Sequence, residues 1–370
     1  MLTASFEAPG QTGQRYDLGD FINPQTLQAL TGERYDSATT AFFLRDLTEI
    51  MGRTFDIKYP DLAARQLFPV WSGVDPGAES FVWRQFNRVG AADLIDTYAA
   101  DLPSSEVQSQ EFQQRIVSLG SSYNYSIQDL RKARMAGIPL ETRKALAARR
   151  SIEQAVEQIA FFGLQQNPDT ATGAQAIRFI KSAVNTNDPL EQYGFTNFPN
   201  INSLMGSNQW VDYSGTTPVL ATGISVSTII NDLNSLQMSI VNASKGVHTP
   251  NTLLLPLSTY SALATAARSV TFTDDSVLQY MMKQSPWIKE VRYSTMLEKA
   301  GKKQDNTTPG PRIMLWEKNE ENAQLVIPQE FEQLPPQMVN LTFKIPCHMR
   351  IGGMRISYPK AIAALDGTGG

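Results

Sequence analysis

Two histidines and one cysteine occur in the 370 residues, and two of these three side chains are adjacent, at Cys347-His348. A thiolate next to an imidazole is a pairing that nucleophilic catalysis uses. The flanking residues read as a strand, in which neighbours point to opposite faces. Without a bulge the two form no dyad, so Cys347 reads as a small buried apolar residue and His348 as a surface or interface residue. Asp274-Asp275 offers oxygen ligands for a cation, yet Asp275 stands where the following helix needs a cap. Glu320-Glu321, beside Lys318 and Asn319, reads as a solvated turn rather than an acid/base pair. Gly301-Lys302-Lys303 is a short basic loop, a weak phosphate-contact signal. Arg149-Arg150 on a helix suits ion pairs with a neighbouring chain, a nucleic-acid contact or a solvated face.

The larger catalytic signatures are missing. No Gly-x-x-x-x-Gly-Lys-Ser/Thr, no helix-opening Gly-x-Gly-x-x-Gly, no Gly-x-Ser-x-Gly and no His-Glu-x-x-His occurs. One Cys excludes an internal disulfide and a multi-Cys zinc site. No enzyme activity, cofactor or metal is expected, although a site assembled from scattered Asp, Glu, Tyr and Lys leaves no such signature.

The elements that would position these residues are uneven. Residues 1–35 form a polar arm punctuated by Gly10, Gly13, Gly19 and Pro24, and a helix follows between Asp36 and Gly52. Residues 66–90 read as a hairpin, with limbs Gln66–Trp71 and Phe81–Arg88 joined by Ser72-Gly73-Val74-Asp75-Pro76-Gly77. Its second limb puts Phe81, Trp83 and Gln85 on one face and Val82, Arg84 and Phe86 on the other. Both faces carry large apolar groups, so neither is built for water. A lone two-stranded hairpin is marginal, so this one packs on its own core or on another chain.

Ser126 and Asp129 resemble a capping box. A long helix then runs over Leu140–Phe162 with Ile152, Val156 and Ile159 on one face, ended by Gly163. Residues 165–222 are loop-rich. Strand–helix alternation follows: helices over Ser227–Ala243, Pro256–Ala267 and Ser276–Lys283, and strands at Thr252–Leu255, Ile288–Tyr293 and Ile313–Glu317. The end of the chain turns to strands at Ala323–Ile327, Met338–Ile345 and Met349–Tyr358, with a close approach or bulge at Gly352-Gly353 and a loose Gly367-Thr368-Gly369-Gly370 tail.

The length allows two or three folded units. Lys+Arg 32 against Asp+Glu 36 gives −4, which excludes a polycation that coats nucleic acid along its whole length. Charged residues make up 18%, against about 25% in typical domains. Either much surface is hidden in contacts, or the surface is rich in Gln, Asn, Ser and Thr. Glu7, Asp17 and Asp20 stand where a secretory signal would be apolar. The longest apolar runs, such as Leu253-Leu254-Leu255, fall far short of the ~20 residues that span a bilayer. The expectation is no membrane partner and assembly in the cytoplasm.

Arm, hairpin, strut helix, inserted α/β unit and closing strands occur in an order that resembles the major capsid proteins of tailed bacteriophages, with the Hong Kong 97-type fold. The residues that carry the resemblance are Phe68-Pro69-Val70 through Arg88-Val89-Gly90-Ala91-Ala92, then Ala100-Asp101-Leu102-Pro103. Tyr123 through Leu130, Ile159-Ala160-Phe161-Phe162-Gly163 and the block from Pro335-Pro336-Gln337 to Pro359 complete it.

The resemblance implies an α+β fold of five parts: an N-terminal arm over 1–65, an extended loop over 66–102, the first part of a peripheral domain over 103–189 with its spine helix at about 140–162, an axial domain over 190–322, and closing peripheral strands over 323–370. It implies a structural subunit that assembles with itself as pentamers and hexamers into an icosahedral head around double-stranded DNA, enclosed without sequence-specific binding. Trp71, Phe81, Trp83, Arg84, Phe86 and Arg88 would then contact the adjacent subunit. Some members cross-link through an extended-loop Lys, but residues 66–102 contain none, so no isopeptide bond is expected. The short arm implies a separate scaffolding protein; a portal is a further partner, and the head forms with or without a decoration protein. The alternatives are an encapsulin-like compartment shell, another virion part such as a portal or tail protein, and an α/β enzyme built on the inserted unit.

Overall fold

A computed structural model describes residues 62–90, 104–137, 140–164, 192–212, 219–267, 275–305 and 308–369. The arm, the helix expected between Asp36 and Gly52, Ala100-Asp101-Leu102-Pro103 and Asp274 lie outside these residues.

The long helix occupies Leu140–Phe162. Ala148, Ile152, Val156 and Ile159 recur at helical spacing and are all buried, the last three nearly completely. At about 1.5 Å per residue the helix is roughly 34 Å long. Gly163 ends it with φ of +67°, and a Cβ there would lie 2.0 Å from the Gln192 carbonyl. Only glycine fits that turn.

The helix packs on a four-stranded antiparallel sheet made of Val117–Ser126, Gln329–Gln333, Gln337–Val339 and Thr342–Ile351. The two long strands pair from Val117↔Ile351 to Ser126↔Thr342. Along the last strand Ile345, Cys347, Met349 and Ile351 turn into the core, while Pro346, His348 and Arg350 are half-buried on the other face. This separates Cys347 from His348, as the strand period requires.

A second sheet has the order Glu290–Ser294, Thr252–Pro256, Ile313–Trp316, Ile362–Asp366 and Asn202–Met205. Its central strands are continuous buried runs, the pattern of a sheet covered on both faces. Leu253, Leu255, Ile313, Leu315, Ala363 and Leu365 enter one core with the helices Val226–Ala243, Leu257–Thr265 and Val277–Gln284. Leu254, Met314, Trp316, Ile362 and Ala364 enter the other, with the long helix. The sheet is a wall between two cores, and period-two alternation divides its residues between them.

Four expectations are corrected. Gln66–Trp71 is not a hairpin limb: Ala64–Leu67 is a helical turn, and Val70–Trp71 pairs in parallel with Leu325–Val326. Leu67 and Phe68 are too apolar to project, and both sink into the main core. Met338–Ile345 is not one strand, because Asn340 turns with φ of 56° between Gln337–Val339 and Thr342–Ile351. The helix starting at Val277 is capped by Ser276 and Gln279, while Asp275 pairs with Lys283 at 2.5 Å.

The tail is not loose either. Ile362–Asp366 is a central strand of the second sheet, and Gly367, Thr368 and Gly369 are buried. Backbone bonds hold them: Trp210 and Val211 N–H groups donate to the Thr368 carbonyl, and Gly367 N–H donates to the Lys302 carbonyl. Arg312 grips the Asp366 carboxylate with two bonds, of 2.7 and 2.6 Å. The Ser126–Asp129 capping box is present, and Gly352 makes the expected close approach, its missing Cβ leaving room for the Phe81 ring.

Candidate assembly interface

The two-stranded hairpin of this chain is Ser80–Val89 with Glu106–Arg115, in register from Ser80↔Arg115 to Val89↔Glu106. Sequence reading missed the returning strand because Glu106–Arg115 is Gln-, Glu- and Ser-rich, with only Val107 and Phe112 as large apolar residues. Those two, five apart on opposite faces, were the available signal.

Directly opposed residues share a face, so the register sorts the side chains. One face carries Phe81, Trp83 and Gln85 with Gln114, Phe112 and Gln110. An aromatic ladder anchors it to the body of the chain. Trp71 meets Phe81 edge-on at 6.2 Å, Phe81 stacks on Trp83 at 5.5 Å, and Trp83 stacks on Phe112 at 5.6 Å. Such offset pairs each contribute roughly 0.5–1.5 kcal/mol beyond area burial. Phe81 closes a small core with Ile116 and Val326, and the Arg355 guanidinium lies 5.0 Å over the Trp71 ring. Phe81 is therefore covered by its own chain, and Trp71 and Trp83 are half-buried there. These three anchor the hairpin within the subunit, and Trp71 and Trp83 keep part of their surface open.

The opposite face carries Val82, Arg84, Phe86 and Arg88 with Gln113, Glu111, Ser109 and Val107. Here Val82 is 51%, Phe86 65% and Val107 67% exposed. Arg84 pairs with Glu111 at 2.7 Å across the strands, both well exposed, and Arg88 is exposed towards the tip. The pair fixes register more than it stabilises, since exposed ion pairs contribute about 0–1 kcal/mol. A surface cluster of Val and Phe with a polar rim is the composition of a protein–protein contact. Under the anchored face runs a cleft of about 840 Å³, lined by Trp83, Gln85 and Phe112 from the hairpin and by Phe198, His248 and Tyr358 from the body.

The residues with chemical potential do not converge. Cys347 is 2% exposed, and burial pushes its thiol pKa up, away from the reactive thiolate. His248 Nδ1 meets Glu317 Oε2 at 2.8 Å, and Asn322 donates to the same oxygen at 2.9 Å, a satisfied polar cluster beside Tyr358. Glu320 and Glu321 are exposed in a turn, and Gly301–Lys302 pairs with Pro309–Gly310 as a minimal hairpin. Among the described residues no three of His, Cys, Asp and Glu gather as a metal site. Among them, too, no helix is long and apolar enough to cross a membrane.

The fold is thus a long helix over a four-stranded sheet, an adjoining two-core wall and a two-stranded hairpin. The same architecture occurs in the capsid of Myoviridae phage XM1, at TM-score 0.71 and 13% identity over 89% of this chain and 99% of that one. It also occurs in Mycobacterium phage Ogopogo, at TM-score 0.54 and 12% identity over 86% and 96% of the two chains. The capsid of an empty GTA particle matches at TM-score 0.52 and 11% identity, over 87% and 94%. No curated protein matches by sequence. The sequence model of the major capsid protein family matches residues 90–368, and the chain belongs to that family. The family is structural, not an enzyme class, and the chain is a capsid component.

Proposed function

We propose that copies of this chain assemble as pentamers and hexamers into an icosahedral phage head around double-stranded DNA. The observation that carries this reading is the hairpin face of Val82, Phe86 and Val107, which the chain leaves exposed while covering the face behind it. Docked on an adjacent subunit, that face buries its apolar area, and Arg84, Glu111 and Arg88 become its polar rim. Trp71, Phe81 and Trp83 act one step removed, by fixing the angle at which the face is presented.

Each such contact is modest. A closed shell is stable because every subunit is held by several contacts at once. Residues 66–102 contain no Lys, so the shell is held without an isopeptide bond from this loop. A separate scaffolding protein sets curvature during assembly in the host cytoplasm. A portal occupies one vertex.

The test is light scattering with negative-stain electron microscopy on the purified chain, alone and with its phage's scaffolding protein. Closed shells with five- and sixfold capsomers and nuclease-protected DNA are expected. A monomer that neither crowding nor scaffold assembles would contradict the proposal, as would shells that hold a protein cargo and no DNA.

A further inference from the structure

The helix Ile127–Ala136 has no buried residue. A ten-residue helix is marginal by itself. This one is held by its capping box, by Gly137 in the left-handed conformation at its end, and by contact with the strand before it. Its side chains are thus not needed for a core. They include Arg131, Lys132 and Arg134, all exposed. The start of the long helix adds Arg143, Lys144, Arg149 and Arg150.

Between Ser126 and Arg150 the only carboxylates are Asp129 and Glu141, leaving an excess of five positive charges in a chain of net charge −4. Both carboxylates are already engaged. Asp129 bonds Ser126 in the capping box, and Glu141 accepts from the Tyr125 hydroxyl at 3.4 Å. Lys144 donates to the Asn124 carbonyl, two residues before the Ser126 cap, so the start of the long helix lies beside the start of Ile127–Ala136. The Arg149 guanidinium covers the Phe331 ring at 5.9 Å. Among the described residues no carboxylate forms a salt bridge with Arg131, Lys132 or Arg134.

We infer that this corner is a sequence-independent contact for the phosphodiester backbone of the enclosed DNA. The inference rests on the reading of the chain as a DNA-enclosing shell subunit, and it adds which surface meets the nucleic acid. Five of the seven cations are Arg, whose planar fork matches phosphate oxygens. Exposed cations on a protruding helix track a duplex without reading bases, because phosphate contacts position and carry no sequence information. A mildly acidic chain with these seven cations gathered at this corner binds DNA in a preferred orientation, which a uniformly basic chain would not do.

The test is a fluorescence-anisotropy titration of linear duplex DNA with the full chain, over a series of NaCl concentrations. Each phosphate contact adds about 0.9 to the slope of log K against log salt. Arg131→Gln/Lys132→Gln/Arg134→Gln is expected to reduce that slope by about 2–3 and weaken binding about tenfold or more near physiological salt. Arg143→Gln alone is expected to reduce it by about one, which covers the case in which the triple variant loses its helix. Lys245→Gln/Lys299→Gln, on exposed lysines outside this corner, and Met135→Ser, on the same helix, are expected to leave it unchanged.

An unchanged slope in both corner variants overturns the inference, as does an equal drop in the lysine control. Retained DNA binding with lost binding to polyglutamate also overturns it, and assigns the corner to an acidic protein. Light scattering on the same samples separates the two levels. Wild-type shells with an unchanged slope remove only this inference, whereas a wild-type chain that never forms shells removes the reading beneath it.

Discussion

The five-stranded sheet and the hairpin are both made of paired strands, yet they treat their side chains in opposite ways. In the sheet, Leu253–Leu255, Ile313–Trp316 and Ile362–Leu365 bury every residue, because each face has a core of its own. In the hairpin, one face is anchored by stacked aromatics and the other leaves Val82, Phe86 and Val107 in solvent. The first region is complete within one chain. The second is complete only at its base, and in the proposed assembly a neighbour covers the rest. Stability and assembly are therefore encoded in different residues, and substitutions should separate them.

The largest effect is expected in the region that is complete. Phe161→Ala removes a fully buried ring packed edge-on against Phe68 at 5.8 Å. Large-to-small changes of this kind cost about 3–5 kcal/mol, to be read from urea unfolding of the dispersed chain. Asp366→Asn leaves Arg312 buried with its partner's charge gone, and breaking a buried pair costs about 3–5 kcal/mol. The same measurement checks it, and a loss below 1 kcal/mol would place the C-terminal strand outside the cooperative core. Gly163→Ala forces a left-handed backbone on an L-residue, costing about 1–2 kcal/mol before the clash with the Gln192 carbonyl is added.

A smaller, pH-dependent effect is expected at Glu157. This side chain is 3% exposed on the long helix and accepts one bond, from the Ala63 N–H at 3.3 Å. Burial raises its pKa above the ordinary 4.5. The folded state therefore binds a proton more tightly than the unfolded chain. Its stabilising contribution is present below that ordinary value and lost as pH rises through the raised one. Unfolding midpoints of the wild type should fall over that window, while those of Glu157→Gln should not. Equal pH profiles would show the carboxylate to be solvated. The smallest effect on the isolated chain is expected at Phe86→Ala, within about 0.5 kcal/mol, because an exposed ring contributes little to its own fold.

What could be read in advance follows the same division. The long helix and the Leu253 and Ile313 strands were legible because periodicity and apolar runs report burial directly. The fold class and family order were legible from blocks that span the chain. The returning limb of the hairpin was not, because Gln108, Gln110, Gln113 and Gln114 carry no strand signal and are placed by pairing with Phe81–Asn87. The apolar Leu67-Phe68 was misread as part of a limb because local pattern does not say which core an apolar residue enters. The buried Gly367-Thr368-Gly369 was illegible for a different reason: it is held by backbone hydrogen bonds, which leave no trace in residue type. Of the six expected contact residues, Phe86, Arg84 and Arg88 lie on the open face, whereas Trp71, Phe81 and Trp83 support it from within.

The central claim is that the hairpin's open face is made for a second copy of the chain. The most direct measurement is the mass distribution, by analytical ultracentrifugation, of the wild type and of Val82→Ser/Phe86→Ser/Val107→Ser under assembly conditions, with unfolding midpoints taken alongside. The account predicts shells or capsomers from the wild type and a dispersed chain of near-normal midpoint from the triple variant. A triple variant that assembles like the wild type would contradict it.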